Sequence, residues 1–399
     1  MSKRSDTSGE KDLTMRKKVE EILKEFIEEP QVTTDDIIEN ETERNKKQIK
    51  KENILSSGSA LLNLACTDSP WGAFIPGRYY LIVGASSAGK TWTMLSIAAE
   101  STLHEKFKDY KIVLDEPEEG NNIDINFYFS KKVAEKIKAP KYDSDGNPIY
   151  SVTIEEFYDN INRELDEAEE KGYGLIYMLD SMDALTSDAE IKKTDEQRQA
   201  REKGKDTAGS YGDGKAKINS QNLRRVCSRL NKTGSMLFII CQERDNLGSM
   251  AASKTFSGGN ALLFYATLQI WLTHKNEIKA TIKGHDRTLG NLSKISIKKN
   301  RLTGQRHRDL ELPFYHSFGI DDTGSLIDWL VEEKHWSGGG KLTSKIDATE
   351  FEVSLPKEQL ARHIEELPNG RKKLYRICGN VWKQIKQEIE DKVQRKPRY

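Results

Sequence analysis

The stretch that decides the fold covers residues 84–91 and reads Gly84-Ala85-Ser86-Ser87-Ala88-Gly89-Lys90-Thr91. It matches the phosphate-binding pattern G-x-x-x-x-G-K-[ST], in which glycines let the backbone turn tightly and point its N–H groups inward. The apolar run 79–83 before it predicts a buried strand, and residues 92–99 after it predict a helix. A helix N-terminus at this point adds a favourable dipole for phosphate. The sequence therefore predicts a phosphate-binding loop between a strand and a helix.

Two side chains at the end of this motif carry specific chemistry. Lys90 is long enough to reach the β- and γ-phosphates of a nucleoside triphosphate, and the Thr91 hydroxyl is suited to ligate Mg²⁺. We therefore expect ATP and Mg²⁺ as cofactors. The predicted nucleotide-binding residues are Gly84, Ala85, Ser86, Ser87, Ala88, Gly89, Lys90, Thr91 and Trp92.

Length and composition limit which classes of protein this chain can belong to. The 399 residues suggest two or three domains, and a charged content of 32% with a hydrophobic content of 36% predicts a soluble protein. No apolar run approaches the roughly 20 residues of a membrane span, and the N-terminus carries no apolar signal segment, so we expect a cytoplasmic location. The four cysteines form no C-x-x-C pair and are predicted to be free thiols. Because the formal net charge is zero, any affinity for nucleic acid must come from local basic segments.

The chain divides into three predicted regions. Residues 1–52 form an N-terminal helical segment, in which an apolar stripe over 19–27 needs a surface to cover it, either on its own core or on a neighbouring subunit. Residues 53–336 alternate strands with helices, which predicts an α/β core with a mixed, mostly parallel sheet. Residues 337–399 form a flexible Ser-Gly-Gly-Gly linker and a small basic C-terminal domain with two helices. The predicted strands are 79–83, 111–115, 174–179, 236–241, 267–273 and 293–299.

Polar side chains at the ends of three apolar strands extend the nucleotide site. Asp180 closes the apolar run 175–179 about 90 residues after the phosphate-binding motif, the position of an aspartate that holds Mg²⁺ through its water shell. Glu118 and Glu116 follow the strand 111–115, and either is a plausible activator of water; a solvated acidic turn is the alternative. Gln242 ends the strand 236–241, where it would sense the γ-phosphate or be an ordinary strand end.

Together these residues resemble RecA/UvsX-type DNA recombinases over residues 54–330. The segment Asp180-Ser181-Met182-Asp183-Ala184-Leu185-Thr186 is similar to the family's D-S-x-x-A-L-T. The most specific match is Ser257-Gly258-Gly259-Asn260-Ala261-Leu262-Leu263-Phe264-Tyr265-Ala266, which resembles T-G-G-N-A-L-K-F-Y-A. Lys299-Asn300-Arg301 resembles the K-N-K segment. The resemblance implies a RecA-like P-loop ATPase core with an N-terminal helical segment and a small C-terminal domain.

The resemblance also implies roles for individual residues. Lys90, Thr91 and Asp180 would hold nucleotide and Mg²⁺, and Gln242 would link the γ-phosphate to a DNA-binding loop. Lys299 and Arg301 would reach the ATP of the adjacent protomer. The family often has D-x-E after its second strand, whereas this chain reads Asp115-Glu116-Pro117-Glu118, so Glu118 is the favoured water activator and Glu116 the alternative.

Two segments resemble the mobile DNA loops of this family. The first lies within 188–217, where lysines and arginines alternate with glycines, and the second covers 243–257. Such loops suit sequence-independent contact with phosphates, while the apolar side chains within 247–250 would wedge between bases. The predicted DNA-contacting residues are Lys215, Lys217, Arg224, Arg244, Leu247, Gly248, Ser249, Met250, Lys254, Gly258, Gly259 and Asn260.

The resulting interpretation is an ATP-dependent recombinase that forms helical filaments on single-stranded DNA and pairs it with homologous duplex DNA. Expected partners are both forms of DNA, further copies of this chain, a loading mediator and a single-strand binding protein. A ring-forming helicase and a non-catalytic ATP-binding regulator are the alternatives. The basic C-terminal tail is a candidate for duplex capture, and the divergent loops suggest a bacteriophage protein acting in the host cytoplasm, associated with the nucleoid.

Overall fold

The computed structural model describes residues 50–120, 123–203, 214–245, 254–256, 258–307, 310–339 and 344–393. The predicted N-terminal helix over 19–27 lies outside these residues and stays a prediction. Among the described residues, no helix is both long enough and apolar enough to pass through a membrane. All four cysteines lie in the described ranges and are free thiols, as predicted.

Helices of the described residues flank one large sheet. Two of them begin at a complete capping box, in which the side chains of the N-cap residue and the glutamate three residues later bond to each other's main-chain N–H groups: Thr153 with Glu156, and Ser187 with Glu190. The helices are α1 (Ala60–Thr67), α2 (Lys90–Leu103), α3 (Ile125–Phe129), α4 (Lys131–Lys136), α5 (Ile154–Lys171), α6 (Asp188–Glu202), α7 (Gly214–Thr233), α8 (Asn260–Tyr265), α9 (Asp322–Glu332), α10 (Lys357–Glu366) and α11 (Gly370–Val393).

The strands confirm the predicted α/β class. All six predicted strands are present, but the strand predicted at 267–273 extends to Ile282 and the one predicted at 293–299 begins at His285. The strands are β1 (Arg78–Gly84), β2 (Lys111–Asp115), β3 (Ile137–Lys138), β4 (Lys141–Tyr142), β5 (Pro148–Ile149), β6 (Leu175–Leu179), β7 (Met236–Asp245), β8 (Lys254–Phe256), β9 (Leu268–Ile282), β10 (His285–Asn300), β11 (Leu310–Tyr315), β12 (Gly319–Ile320), β13 (Ser337–Gly338), β14 (Lys345–Ala348) and β15 (Val353–Pro356).

The main sheet is mixed and mostly parallel at its centre. Its order is β12-β11-β10-β9-β1-β7-β6-β2-β3, with β8 paired to β7. The strands from β9 to β3 run parallel, whereas β10, β11 and β12 continue the sheet in antiparallel fashion. The carboxyl ends of β1, β2, β6 and β7 therefore meet at one edge, where open α/β sheets bind their ligands.

The central strands are apolar because helices cover both faces of the sheet. Strand β1 illustrates this, since its side chains alternate between two separate hydrophobic clusters. Tyr80 and Ile82 pack in the cluster with α1 and α2, while Leu81 and Val83 pack in the cluster with α5 and α7. Burial on both faces fixes the position of β1, and with it the loop that follows Gly84.

The predicted linker at 337–340 is wrong in its first half. Ser337 and Gly338 form β13, which pairs antiparallel with β14 in a small three-stranded sheet. A Cβ on Gly338 would lie 2.1 Å from the main-chain oxygen of Lys345, so glycine is needed there for close strand approach rather than for flexibility. The side chains of Ile346, Leu360 and Trp382 belong to the same hydrophobic cluster as α1 and α2. The two predicted C-terminal helices are present as α10 and α11, and the domain boundaries themselves stay predictions.

Candidate active site

The phosphate-binding loop joins β1 to α2 and is shaped by two glycines. A Cβ on Gly84 would lie 2.4 Å from the main-chain oxygen of Leu272. Gly89 has φ +88°, and a Cβ there would lie 2.5 Å from the ring of Phe314. Both positions therefore exclude any side chain, which explains in physical terms why the motif requires glycine at each end of the loop.

The ends of β1 and β6 bring three predicted residues together. The Thr91 hydroxyl donates a 2.6 Å hydrogen bond to Oδ2 of Asp180, which follows β6. The Lys90 ammonium donates to the main-chain oxygen of Ala85 at 2.7 Å, so it lies folded over the loop. These contacts join residues 89 positions apart at the carboxyl edge of the sheet.

Burial shifts the pKa values of Asp180 and Lys90. Burial raises the pKa of Asp180, and the nearby carboxylate of Glu118 adds to the rise, while the Thr91 hydrogen bond and Lys90 oppose it. Burial lowers the pKa of Lys90, with Asp180 and Glu118 acting in the opposite direction. Each charge is therefore costly alone, and the site is arranged so that cation and carboxylates offset one another.

The hydroxyl and carboxylate pair is suited to a hard cation. Thr91 and Asp180 supply oxygen ligands, the type that Mg²⁺ prefers, and Mg²⁺ usually keeps several waters in addition. Within the described ranges, no group of three or more His, Cys, Asp or Glu side chains is arranged to hold a metal. The residues therefore fit a cation held by few protein ligands together with phosphate and water.

Glu118, the favoured water activator, is joined to this site. Its Oε1 accepts a 2.6 Å hydrogen bond from the hydroxyl of Ser181, the residue after Asp180. Glu118 is exposed, whereas Glu116 is buried. The neighbouring Asp115 is a structural group, because its carboxylate accepts bonds from the Ser151 hydroxyl at 2.5 Å and from the Tyr177 hydroxyl at 2.8 Å.

The wall of the nucleotide pocket includes residues that the sequence reasoning missed. Asn291, Phe314 and His316 line it opposite residues 87–92. They come from β10, β11 and the turn after it, two to three strands away from β1. Trp92, which was predicted, packs edge-on against Tyr128 at 4.9 Å between ring centroids, and the Tyr128 hydroxyl donates to the main-chain oxygen of His316 at 3.0 Å.

Gln242 was predicted at the end of its strand but lies within β7, which continues for three more residues to Asp245, beside the loop that follows Asp180. Its main-chain N–H donates a 2.5 Å hydrogen bond to Oδ2 of Asp183. Two residues further on, Arg244 forms an ion pair with Oδ1 of the same carboxylate at 3.3 Å. The predicted switch residue and a predicted DNA-contacting residue are therefore joined through one side chain of the nucleotide-site loop.

The first predicted DNA loop is largely helical where it is described. Residues 188–202 form α6, whose capping box was the sequence signal that the loop prediction overlooked, and residues 214–217 begin α7. Residues 204–213 lie outside the described residues. Lys217 and Arg224 are exposed and seven positions apart on α7, so they share one face. Lys215 donates to the main-chain oxygen of Asp183 at 3.5 Å.

The two ends of the second predicted DNA loop lie on a pair of antiparallel strands, β7 and β8. Strand β7 continues to Asp245 and pairs with β8, placing Arg244 opposite Thr255 and Asp245 opposite Lys254. Predicted contacts Leu247, Gly248, Ser249 and Met250 lie outside the described residues and stay predictions.

The glycines after this hairpin link the two predicted DNA segments. Gly258 and Gly259 have φ +102° and +81°, and a Cβ on Gly259 would lie 2.5 Å from the Cβ of Ala216 on α7. The Asn219 side chain donates to the main-chain oxygen of Gly258 at 2.7 Å. Asn260 follows as the exposed first residue of α8. The start of α7 and the glycine pair are therefore in direct contact.

Lys299 and Arg301 lie apart from the phosphate-binding loop of their own chain. The Lys299 ammonium donates to the main-chain oxygens of Leu263 and Phe264 at 2.6 and 2.7 Å, and Arg301 donates to that of Phe264 at 2.8 Å. Burial, followed by the nearby guanidinium of Arg301, lowers the pKa of Lys299 to about 8. The two cations thus form a compact positive pair at the end of α8.

The sheet register fixes which edge this cationic pair occupies. Asn300 pairs with Leu268 at the start of β9, and Leu268 pairs with Tyr80 near the start of β1. The phosphate-binding loop begins at the other end of β1, after Gly84. At about 3.3 Å per residue, the four-residue separation from Tyr80 to Gly84 alone spans about 13 Å. The cations therefore lie at the edge of the sheet opposite the loop.

Comparison with known proteins agrees with this geometry. Residues 170–321 match the RecA N-terminal domain family. The chain is 29% identical over 287 residues to Protein RecA of Cytophaga hutchinsonii, a match that covers 70% of this chain and 68% of the relative. It is 28% identical over 298 residues to Protein RecA of Helicobacter hepaticus, covering 72% of each. It is 27% identical over 327 residues to Protein RecA of Streptococcus agalactiae, covering 78% and 76%. The chain is thus similar to RecA proteins over 70–78% of its length.

Proposed function

We propose that this chain is an ATP-dependent DNA recombinase whose protomers assemble head to tail on single-stranded DNA and pair it with homologous duplex DNA. The observation that carries the proposal is the placement of the Lys299–Arg301 pair at the sheet edge opposite the phosphate-binding loop. A head-to-tail contact presents one edge of a protomer to the opposite edge of the next, so it propagates as an open helix. Cations on one protomer then complete a nucleotide site on its neighbour.

The nucleotide would lie on the loop after β1. Main-chain N–H groups of residues 85–89 and the start of α2 cradle the phosphates, and Lys90 exchanges its hydrogen bond with Ala85 for one with a phosphate oxygen. Thr91 and Asp180 would hold Mg²⁺, which when bound neutralises charge on the β- and γ-phosphates. Asn291, Phe314 and His316 would form part of the pocket wall around the nucleotide.

Hydrolysis would depend on Glu118 and on the cations of the neighbour. Glu118 is held by the Ser181 hydroxyl beside Asp180, and it is exposed enough to meet a water molecule. As a base it takes a proton from that water as the water attacks the γ-phosphate. Lys299 and Arg301 of the adjacent protomer would offset the negative charge that develops on the transferred phosphoryl group.

The DNA would lie along α7 and the hairpin of β7 and β8. Lys217 and Arg224 present one exposed basic face of α7. Arg244, near the end of β7, and Lys215, at the start of α7, both contact Asp183. Contacts of this kind hold phosphates and carry no sequence information, so base edges stay free to pair with a second strand. Homologous pairing requires this arrangement, in which the protein binds the phosphates and the bases stay available for pairing.

Electron microscopy of the protein with single-stranded DNA, Mg²⁺ and a non-hydrolysable ATP analogue tests the assembly. We expect open helical filaments that follow the DNA and that require the analogue. Closed rings around the DNA would instead support a RecA-fold helicase. Protomers that leave the DNA bare would contradict the proposal and favour a regulator that binds nucleotide alone.

The Glu118→Gln variant tests the assignment of the water activator. Gln keeps an oxygen that accepts the Ser181 hydrogen bond but is a far weaker base, so we expect ATP hydrolysis to fall by about 10²–10⁴-fold with nucleotide binding retained. Steady-state phosphate release and the binding of a fluorescent ATP analogue measure the two effects. Glu116→Gln is the matched control and should keep most of the hydrolysis. The opposite pattern would assign the base to Glu116.

Several finer predictions remain proposals. Association with a loading mediator and with a single-strand binding protein, and location at the nucleoid in the cytoplasm, rest on the family resemblance. A role of the basic C-terminal region in duplex capture rests on its charge alone, and residues 394–399 lie outside the described residues.

A further inference from the structure

The side-chain carboxylate of Asp183 contacts two residues of β7, Gln242 and Arg244. Asp183 lies in the loop after β6, at one of the two variable positions of the D-S-x-x-A-L-T pattern. Its side chain is only 4% exposed. Its Oδ2 accepts a hydrogen bond from the main-chain N–H of Gln242 at 2.5 Å, and its Oδ1 lies 3.3 Å from Nη2 of Arg244.

The loop that presents this carboxylate is itself fixed. The main-chain N–H of Met182 donates to the oxygen of Ile240 on β7 at 3.0 Å, and that of Asp180 donates to the oxygen of Asp115 on β2 at 2.9 Å. Asp183 is therefore held by three neighbouring strands at the edge where the nucleotide site lies. Because this loop is bonded to β7 at Ile240 and Gln242, a movement of the Arg244 side chain away from the loop breaks the ion pair.

The ion pair with Asp183 engages the guanidinium of Arg244, which is also the group that would bind a DNA phosphate. Arg244 is 56% exposed and lies at the start of the predicted DNA loop, so it is accessible to solvent from one side. A guanidinium binds carboxylate and phosphate through the same N–H groups, and both are bidentate partners for it. A DNA phosphate and the Asp183 carboxylate therefore compete for Arg244.

We propose that Asp183 is a positioning residue that holds Arg244 back from DNA and thereby limits the affinity of the chain for single strands. The proposal rests on the proposed function, since it takes single-stranded DNA as the ligand of Arg244. It goes further by assigning a restraint, built into the nucleotide-site loop, that DNA must displace. The other oxygen of the same carboxylate keeps its bond to the Gln242 main-chain N–H, so the restraint lies directly beside the residue predicted to sense the γ-phosphate.

The test compares the full-length wild type with Asp183→Asn in binding to a fluorescent oligo(dT) strand over a series of salt concentrations. Removal of the charge should raise affinity by about two- to fivefold, the range of a partly exposed ion pair. One added phosphate contact should steepen the slope of log affinity against log salt by about 0.7 for a single strand. A purely structural effect of the substitution would not steepen that slope. In an Arg244→Ala background the gain should vanish.

Controls separate this inference from the function on which it rests. Asp166→Asn removes a carboxylate from another arginine pair, Arg229–Asp166 at 2.5 Å, and changes net charge equally, so it should bind DNA as the wild type does. Should Asp183→Asn unfold, Asp183→Ser keeps an oxygen for the Gln242 N–H and carries the same test. Wild-type affinity and slope in the variant, or a gain that survives Arg244→Ala, would overturn the inference alone. Failure of the wild type to bind single strands would overturn both proposals.

Discussion

Replacement of Lys90 by alanine is expected to abolish ATP-driven strand exchange and to lower kcat for ATP hydrolysis by about 10²–10³-fold, the cost of removing one preorganised charged donor. The ammonium lies over the phosphate-binding loop, where burial lowers its pKa and the neighbouring carboxylates of Asp180 and Glu118 oppose that effect. A nucleoside triphosphate would supply a stronger partner, which is why the loss should appear in turnover rather than in folding. Phosphate release with single-stranded DNA present and exchange between a circular single strand and a linear duplex measure the effect.

The matched control for this prediction is Lys132→Ala. Lys132 is also a lysine that donates to a main-chain oxygen, that of Thr102 at 3.1 Å, but it lies on α4. Its removal changes net charge by the same amount and should leave hydrolysis and exchange at wild-type levels. Full strand exchange by Lys90→Ala, with its fold confirmed by thermal unfolding, would exclude the proposed mechanism.

The arrangement of residues around the phosphate-binding loop could be predicted because its signals are local. Gly84 and Gly89 are needed by the backbone itself, and Asp180 directly follows an apolar strand whose burial on both faces gives a continuous hydrophobic run. The sequence also favoured Glu118, and the Ser181 hydrogen bond places it beside Asp180. Each of these inferences needed only a short segment and the rule that parallel strands present their carboxyl ends together.

The parts that were missed depend on strand order. Phe314 reaches the phosphate-binding loop only because β10 and β11 continue the sheet beyond β9, a pairing that no local pattern encodes. Asp183 matters through contacts with Gln242 and Arg244, which lie about 60 residues away. The helix α6 was predicted as a loop because its charges and nearby glycines outweighed the capping box that begins at Ser187. Local composition misleads when a cap or a distant strand decides the structure.

Loss of the cationic pair, in the double variant Lys299→Ala/Arg301→Ala, is the second large effect that we expect. An isolated protomer should still bind nucleotide, because both side chains lie at the sheet edge opposite the phosphate-binding loop. DNA-dependent hydrolysis should fall by at least about 10²-fold, since charge supplied in trans to a phosphoryl group is worth about 10³–10⁵ in related ATPases and GTPases. Fluorescent nucleotide binding and phosphate release distinguish the two steps. A loss of nucleotide binding by isolated protomers would mean that the pair acts within its own chain.

A mixture of two inactive variants decides whether the pair acts across a protomer contact. Lys90→Ala keeps the cations but lacks a working phosphate-binding loop, while Lys299→Ala/Arg301→Ala keeps the loop but lacks the cations. In a head-to-tail assembly of equal parts, about one quarter of the contacts join an intact loop to an intact cationic pair. Hydrolysis should therefore recover to about a quarter of the wild-type rate, although neither variant is active alone. If the cations served the loop of their own chain, every protomer in the mixture would remain defective and no recovery would occur.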